Sequence, residues 1–169
     1  MILKLRMLSD ENDNFVRDFE VSHETTLLQL NNFILDAIGY EECMTSFFTA
    51  DDHWNRLREF TLMDMGIGMG GDDEPMAMES VTLAELVVAD YKRLILQFDM
   101  IADRAFYIEV VNGSEPNAEF TYPRVAFENA TVPDQYDPDK VSSDDGSIFE
   151  EMMGDFGSFD EDADYDDEY

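Results

Sequence analysis

Residues Thr25–Tyr40 read TTLLQLNNFILDAIGY, and the spacing of their apolar side chains decides the fold. Leu27, Leu30, Phe33, Ile34, Ala37 and Ile38 recur at three- and four-residue intervals, while Gln29, Asn32 and Asp36 fall on the other side. Thr26 and Gln29 have the spacing of a capping box, in which each side chain takes up a free backbone N–H of the first turn. Gly39 stands where a helix commonly ends on a left-handed residue. The pattern predicts an α-helix, and a helix with so broad an apolar stripe needs a surface to cover.

The strand-like segments on both sides supply that surface. Residues 2–8 alternate, with Ile2, Leu3, Leu5, Met7 and Leu8 set against Lys4 and Arg6, which places the two cations on the outer face. Ser9–Asn14 (SDENDN) is a turn cluster, and Phe15, Arg17, Phe19 and Val21 then share one face of a second strand. These predict an antiparallel hairpin feeding into the helix. Such a start resembles that of the ubiquitin-like β-grasp, a likeness of architecture that carries no function.

Downstream, Ser46–Ala50, Glu59–Met65, Arg93–Phe98 and Ala105–Val111 read as strands rich in aliphatic and aromatic residues. Thr82 and Glu85 form a second capping box, opening a short helix that ends near Ala89. Phe120–Phe127 is interrupted by Pro123 and reads as an edge strand. Asp51–Arg58 (DDHWNRLR) is a turn or crossing segment carrying the only Trp. Gly66–Met78 is a Gly- and Met-rich loop. It lacks the Lys-Ser/Thr ending of a phosphate loop and carries Asp72, Asp73 and Glu74 where an anion would sit. The expected architecture is one α+β domain over residues 1–132, with a mixed or antiparallel sheet and the first helix across one face.

From about Pro133 the composition changes. DQYDPDKVSSDDG is linker-like, and the remainder interleaves acids with Ile148, Phe149, Met152, Met153, Phe156 and Phe159. High like charge and few aliphatics predict a disordered acidic tail over 133–169. The chain holds 10 basic and 40 acidic residues, a net charge of -30. Both halves repel phosphate, which excludes direct nucleic-acid binding and points to basic protein partners or cations. Cys43 is the single cysteine, so no internal disulfide forms. The N-terminus is too short in apolar residues for a signal sequence, and no run has the length of a membrane span, which predicts a cytoplasmic protein.

This order of elements resembles the plasmid pRiA4b ORF-3-like family, also described as passenger proteins of insertion elements. Three stretches carry the likeness. One is the helix with its exit, T-L-x-x-L-x-x-x-I-x-x-A-x-G-Y, here Thr26 to Tyr40. Another is the short T-L-x-x-L segment at Thr82, Leu83 and Leu86. The last is a worn form of the family's Y-D-F-G-D-x-W block, here Phe98, Asp99 and Met100, then Asp103 and Phe106. Tyr122-Pro123 resembles a Tyr-Pro near the family's C-terminal end. The likeness spans about residues 1–130. The chain departs from the pattern at Ile101-Ala102-Asp103, at Phe106 in place of Trp, and at Met44, where a His commonly stands. The resemblance implies an α+β fold and no defined activity.

Candidate chemistry is sparse. Asp51, Asp52 and His53 unite carboxylate and imidazole, both usual metal ligands, but no second His or Cys stands at ligand spacing, so a solvated turn anchored by Trp54 is the plainer reading. Asp99 and Asp103 are the best-placed carboxylate pair, between two strong strands, and loop capping is the commoner use of such residues. Cys43 has no basic neighbour to activate it. No catalytic residue and no cofactor are assigned. In the tail, Ile148, Phe149, Met152, Met153 and Phe156 recur at the anchor spacing of a peptide that folds into a groove, with Gly154 and Gly157 against helix formation. Lys4, Arg6 and Arg17 offer a basic strip on the hairpin as an alternative seat for the tail. The leading expectation is a non-enzymatic interaction module whose acidic tail captures a basic protein. Its rivals are a degenerate or unrecognised metal-dependent enzyme and a DNA-mimic protein.

Overall fold

A computed structural model describes residues 1–63 and 74–136. Eight strands form one mixed sheet: β1 (Ile2–Ser9), β2 (Val16–Ser22), β3 (Ser46–Ala50), β4 (Arg56–Thr61), β5 (Met76–Ala77), β6 (Arg93–Asp99), β7 (Arg104–Ser114) and β8 (Arg124–Asn129). Their order across the sheet is β5-β4-β3-β6-β7-β1-β2-β8, and every pairing is antiparallel except the short β4–β5 contact. The opening hairpin therefore lies deep in the sheet. β1 pairs with β2 on one side and with β7, a hundred residues away in sequence, on the other.

Helix α1 (Leu27–Ile38) forms where the periodicity predicts it, with the Thr26/Gln29 capping box closed and Gly39 left-handed at φ 74°. It buries Leu27, Leu30, Ile34 and Ile38 on the sheet, with Phe33 edge-on to Phe19 at 5.5 Å between ring centroids. It also buries Asn31 and Leu35. Asn31 is satisfied there because the Thr45 hydroxyl donates to its Oδ1 at 2.7 Å and its own Nδ2 donates to Asn32. Helix α2 (Leu83–Val88) carries the second capping box, Thr82 with Glu85. The two helix starts are tied together, since Leu27 N–H donates to the Val81 carbonyl and Leu83 N–H to the Thr25 carbonyl. One continuous core gathers Leu3, Leu5, Met7, Phe19, Phe47, Leu96 and Phe106 beneath both helices.

Three sequence expectations need correction. The strand predicted at Glu59–Met65 begins earlier, at Arg56, and is described to Thr61. Arg56-Leu57-Arg58 is exposed at the sheet's margin and so lacks the apolar alternation that marks a buried strand. The last strand begins at Arg124, after a cis Tyr122–Pro123 peptide, so Pro123 interrupts nothing; β8 is an edge strand, as expected. Arg17 does not extend the Lys4 and Arg6 strip. It points to the core face, is 7% exposed, and donates to the carbonyls of Val16, Asn129 and Ala130.

Residues 1–135 form one compact unit. Its last stretch is tied down despite its linker-like composition. Tyr40 Oη donates to the Pro133 carbonyl, and Arg104 donates to the carbonyls of Asp134 and Gln135. Ile148, Phe149, Met152, Met153, Phe156 and Phe159, and the Gly-rich segment 66–73, lie outside the described residues.

Candidate interaction face

Alternation along a strand sends neighbours to opposite faces. The face opposite α1 and α2 receives what the core rejects. Its middle is a charge row running across four strands in register: Arg93 on β6, Glu109 on β7, Arg6 on β1 and Asp18 on β2. Arg93 Nε lies 3.3 Å from Glu109, and Arg6 grips both oxygens of Asp18 at 2.8 and 2.9 Å. Lys4 adds a contact to Asp18 at 3.3 Å. Asp18 is 1% exposed, and the hydrogen bond from Arg6 is the main reason its carboxyl stays below the usual carboxylate range despite that burial. Arg124 meets Glu20 at 2.7 Å, and Arg56 meets Asp103 at 2.6 Å.

Beside the charge row runs an apolar one, Ile95, Tyr107, Leu8 and Val16, again in register. At its β3–β6 end Ala50, Ile95 and Ala105 make a small second cluster, capped by Phe48, Trp54 and Tyr107. No helix contributes to it. Trp54 stands edge-on to Tyr107 at 5.3 Å, with Arg93 over its ring at 5.0 Å and Arg56 over Phe48 at 4.7 Å. Cations thus seal the aromatic groups that no second layer among the described residues covers.

The candidates from sequence fall on this face or its rim. Asp51 is a loop fastener. Its Oδ1 accepts from the N–H groups of His53 and Asn55 and its Oδ2 from the Asn55 side chain, which together hold its carboxyl acidic. That shapes the turn in which Trp54 takes φ 64°. Asp52 is fully exposed and lends its carbonyl to Arg93. Among the described residues no three His, Cys, Asp or Glu side chains converge to hold a metal ion. Asp99 caps the β6–β7 turn through the N–H groups of Ile101 and Ala102, while Asp103 binds Arg56 and Gln97. The two carboxylates serve separate partners.

The aromatic pair of the worn family block, Phe98 and Phe106, lies at the other face. Phe98 stacks on Phe106 at 4.9 Å, Tyr40 and Phe15 pack against the pair, and Arg104 covers Phe98 at 4.9 Å while bonding Glu11. This is a core that fastens the chain end. Burial raises the Tyr40 hydroxyl's pKa, so it remains a neutral donor. A groove of about 430 Å³ lies nearby, lined by Asn32, Leu35, Glu42, Cys43 and Leu62 among others. Burial pushes the Cys43 thiol up, which keeps it protonated and a poor nucleophile.

Sequence reading named Lys4 and Arg6 but missed Asp18, Glu109 and Arg93 as their company. Alternation of charge along β1 and β2 was the available signal; the β1–β7 pairing that completes the row is non-local and leaves none.

The profile of plasmid pRiA4b ORF-3-like proteins matches residues 2–140. The chain belongs to this family. No curated protein shows a significant match. Among solved structures, a protein of unknown function from Methanosarcina mazei Go1 is similar over 99% of this chain and 92% of its own, with a TM-score of 0.62 and 16% identity. At that identity the likeness extends to the fold alone. The pRiA4b ORF-3-like fold in this chain is an α+β arrangement of few helices on an eight-stranded sheet.

Proposed function

We propose that this pRiA4b ORF-3-like chain is a non-enzymatic, cytoplasmic protein-interaction module whose acidic segment 134–169 captures a basic partner. The supporting observation is the fate of its cations. The described residues hold nine Lys and Arg against 23 Asp and Glu. Eight of the nine already stand in ion pairs with the chain's own carboxylates: Lys4, Arg6, Arg17, Arg56, Lys92, Arg93, Arg104 and Arg124. What remains to attract a partner at long range is negative. Segment 134–169 holds 15 acids, Asp134 among those already counted, against Lys140 alone, interleaved with Phe149, Met152 and Phe156 as apolar anchors. Charge would bring a basic partner in, and the apolar groups would fix its register. Among the described residues no helix is long and apolar enough to cross a membrane.

The test is affinity capture by the full chain beside a variant with Phe149, Met152 and Phe156 changed to Ser and every acid retained. A basic protein held by the parent, lost by the variant and weakened at 0.3 M salt supports the reading. The same proteins held by both chains at all salt concentrations would sink it. Displacement of the captured protein by duplex DNA would turn the reading toward nucleic-acid mimicry.

A further inference from the structure

We propose that the open face of the sheet is a self-association surface and that its occupant is a second copy of this chain. Charge balance is the first reason. The five cations on that face, Lys4, Arg6, Arg56, Arg93 and Arg124, are matched by five acids: Asp18, Glu20, Asp103 and Glu109 in ion pairs, and Glu59 bonded to Ser46. With Asp51, Asp52 and Asp99 at its rim the face carries five cations and eight acids, whereas the other described residues hold four cations against 15 acids. Two copies of a chain with net charge -30 repel each other across most of their surface, and least on this face.

Charge order is the second reason. The row Arg93, Glu109, Arg6, Asp18 reads plus, minus, plus, minus across adjacent strands. A two-fold interface opposes a surface to itself. If the axis lies in the interface, parallel to the strands and between β7 and β1, each position meets the one equally far on the other side. Glu109 then faces the second copy's Arg6, and Arg93 lies over its Arg6–Asp18 pair, in which Asp18 itself is buried. An axis along the row would set like against like. The central pair is accessible: the Arg6 side chain is 44% exposed and that of Glu109 45%. The same axis brings Tyr107 opposite Leu8, which is 38% exposed.

Area is the third reason. Six strands, β3 to β8 with the axis at their centre, at about 4.8 Å spacing and six residues at about 3.3 Å rise give a patch of roughly 29 by 20 Å. That is about 580 Å² per copy, near the lower bound of about 1,000 Å² in total for a specific interface. A weak, reversible dimer is expected.

Sedimentation equilibrium of the full chain across about 5–200 µM, at 0.05 and 0.5 M NaCl, tests this. The expected result is a monomer–dimer equilibrium that tightens severalfold at high salt, because salt screens the residual repulsion between copies. That sign is opposite to the one expected for a basic partner, so the two proposals fail separately. Leu8→Glu should weaken the dimer at least tenfold, and Glu109→Gln severalfold, with unchanged circular dichroism. Val88→Glu, on the 88% exposed outer side of α2, should leave it intact. A monomer throughout, or a dimer insensitive to both Leu8→Glu and Glu109→Gln, would overturn the proposal, as would a dimer lost on Val88→Glu.

Discussion

Phe106 and Tyr107 are consecutive in β7, and the pleat sends them to opposite faces. Phe106 is fully buried among Phe15, Phe98 and Tyr40. Tyr107 is half-buried, touches Trp54, and leans on a cluster of only three buried residues. One face burns its aromatic surface into a core, and the other holds it under arginines. The difference teaches which side carries stability and which is left without a second described layer. Truncation at the two sites separates them most. Phe106→Ala should lower unfolding free energy by about 3–5 kcal/mol, and Tyr107→Ala by about 1–2 kcal/mol, both read from urea denaturation. Equal losses would mean that the open face is a second core.

The arginines give the next contrast. Arg104 is 6% exposed and donates to Glu11 and to the carbonyls of Asp134 and Gln135. Removing it loses these charge-assisted bonds from a buried guanidinium, so Arg104→Met should cost about 2–3 kcal/mol and speed proteolysis after Thr131. Arg93→Met removes pairs at the rim, where water replaces them, and should cost below about 1 kcal/mol.

Asp18 is the open face's exception, a buried carboxylate between Arg6 and Lys4. Its folded-state pKa lies below the unfolded one. The pairing therefore contributes stability above the unfolded value, near pH 4, and that contribution is lost as pH falls through the folded value. Asp18→Asn should cost about 1–2 kcal/mol at pH 7 and progressively less as pH falls below the unfolded value. A mutant penalty independent of pH between 7 and 3 would show that shape, not charge, matters at this site.

The helix caps sit on the covered face and have a smaller effect. Thr26→Ala and Thr82→Ala should each cost about 1 kcal/mol. Because Thr26 and Thr82 form a bridge between the two helix starts, the double mutant should lose measurably less than the two singles together. Strict additivity would mean that the helices are fastened elsewhere.

Local pattern made one of these faces readable and hid the other. The stripe of α1, both capping boxes and the alternation of β1 and β2 each lie within a dozen residues, so period and spacing expose them. Asp18 is different. Its burial depends on Arg6 across a hairpin, and the charge row depends on β1 meeting β7, which no local window contains. β5 is two residues long and carries no pattern at all. Pro133–Gln135 read as linker because their own composition is polar, while the groups that hold them, Tyr40 and Arg104, lie in distant elements.

The smallest expected effect is the most discriminating one for chemistry. Asp51, Asp52 and His53 have the residue types of a metal site, yet Asp51 spends both oxygens on backbone and side-chain N–H groups of its own turn. A metal ligand needs a lone pair turned outward and partners converging on it, and here the carboxylate is turned inward. Asp51→Ala should therefore loosen the Trp54 turn, lowering the melting temperature slightly and shifting Trp fluorescence, with no dependence on added metal. Chelator should leave the parent's melting curve unchanged, and millimolar zinc or magnesium should not raise it. If zinc stabilised the parent and failed to stabilise Asp51→Ala, the open face would be a binding site for an ion as well as a surface, and the division between the two faces would have to be drawn by chemistry instead of by burial.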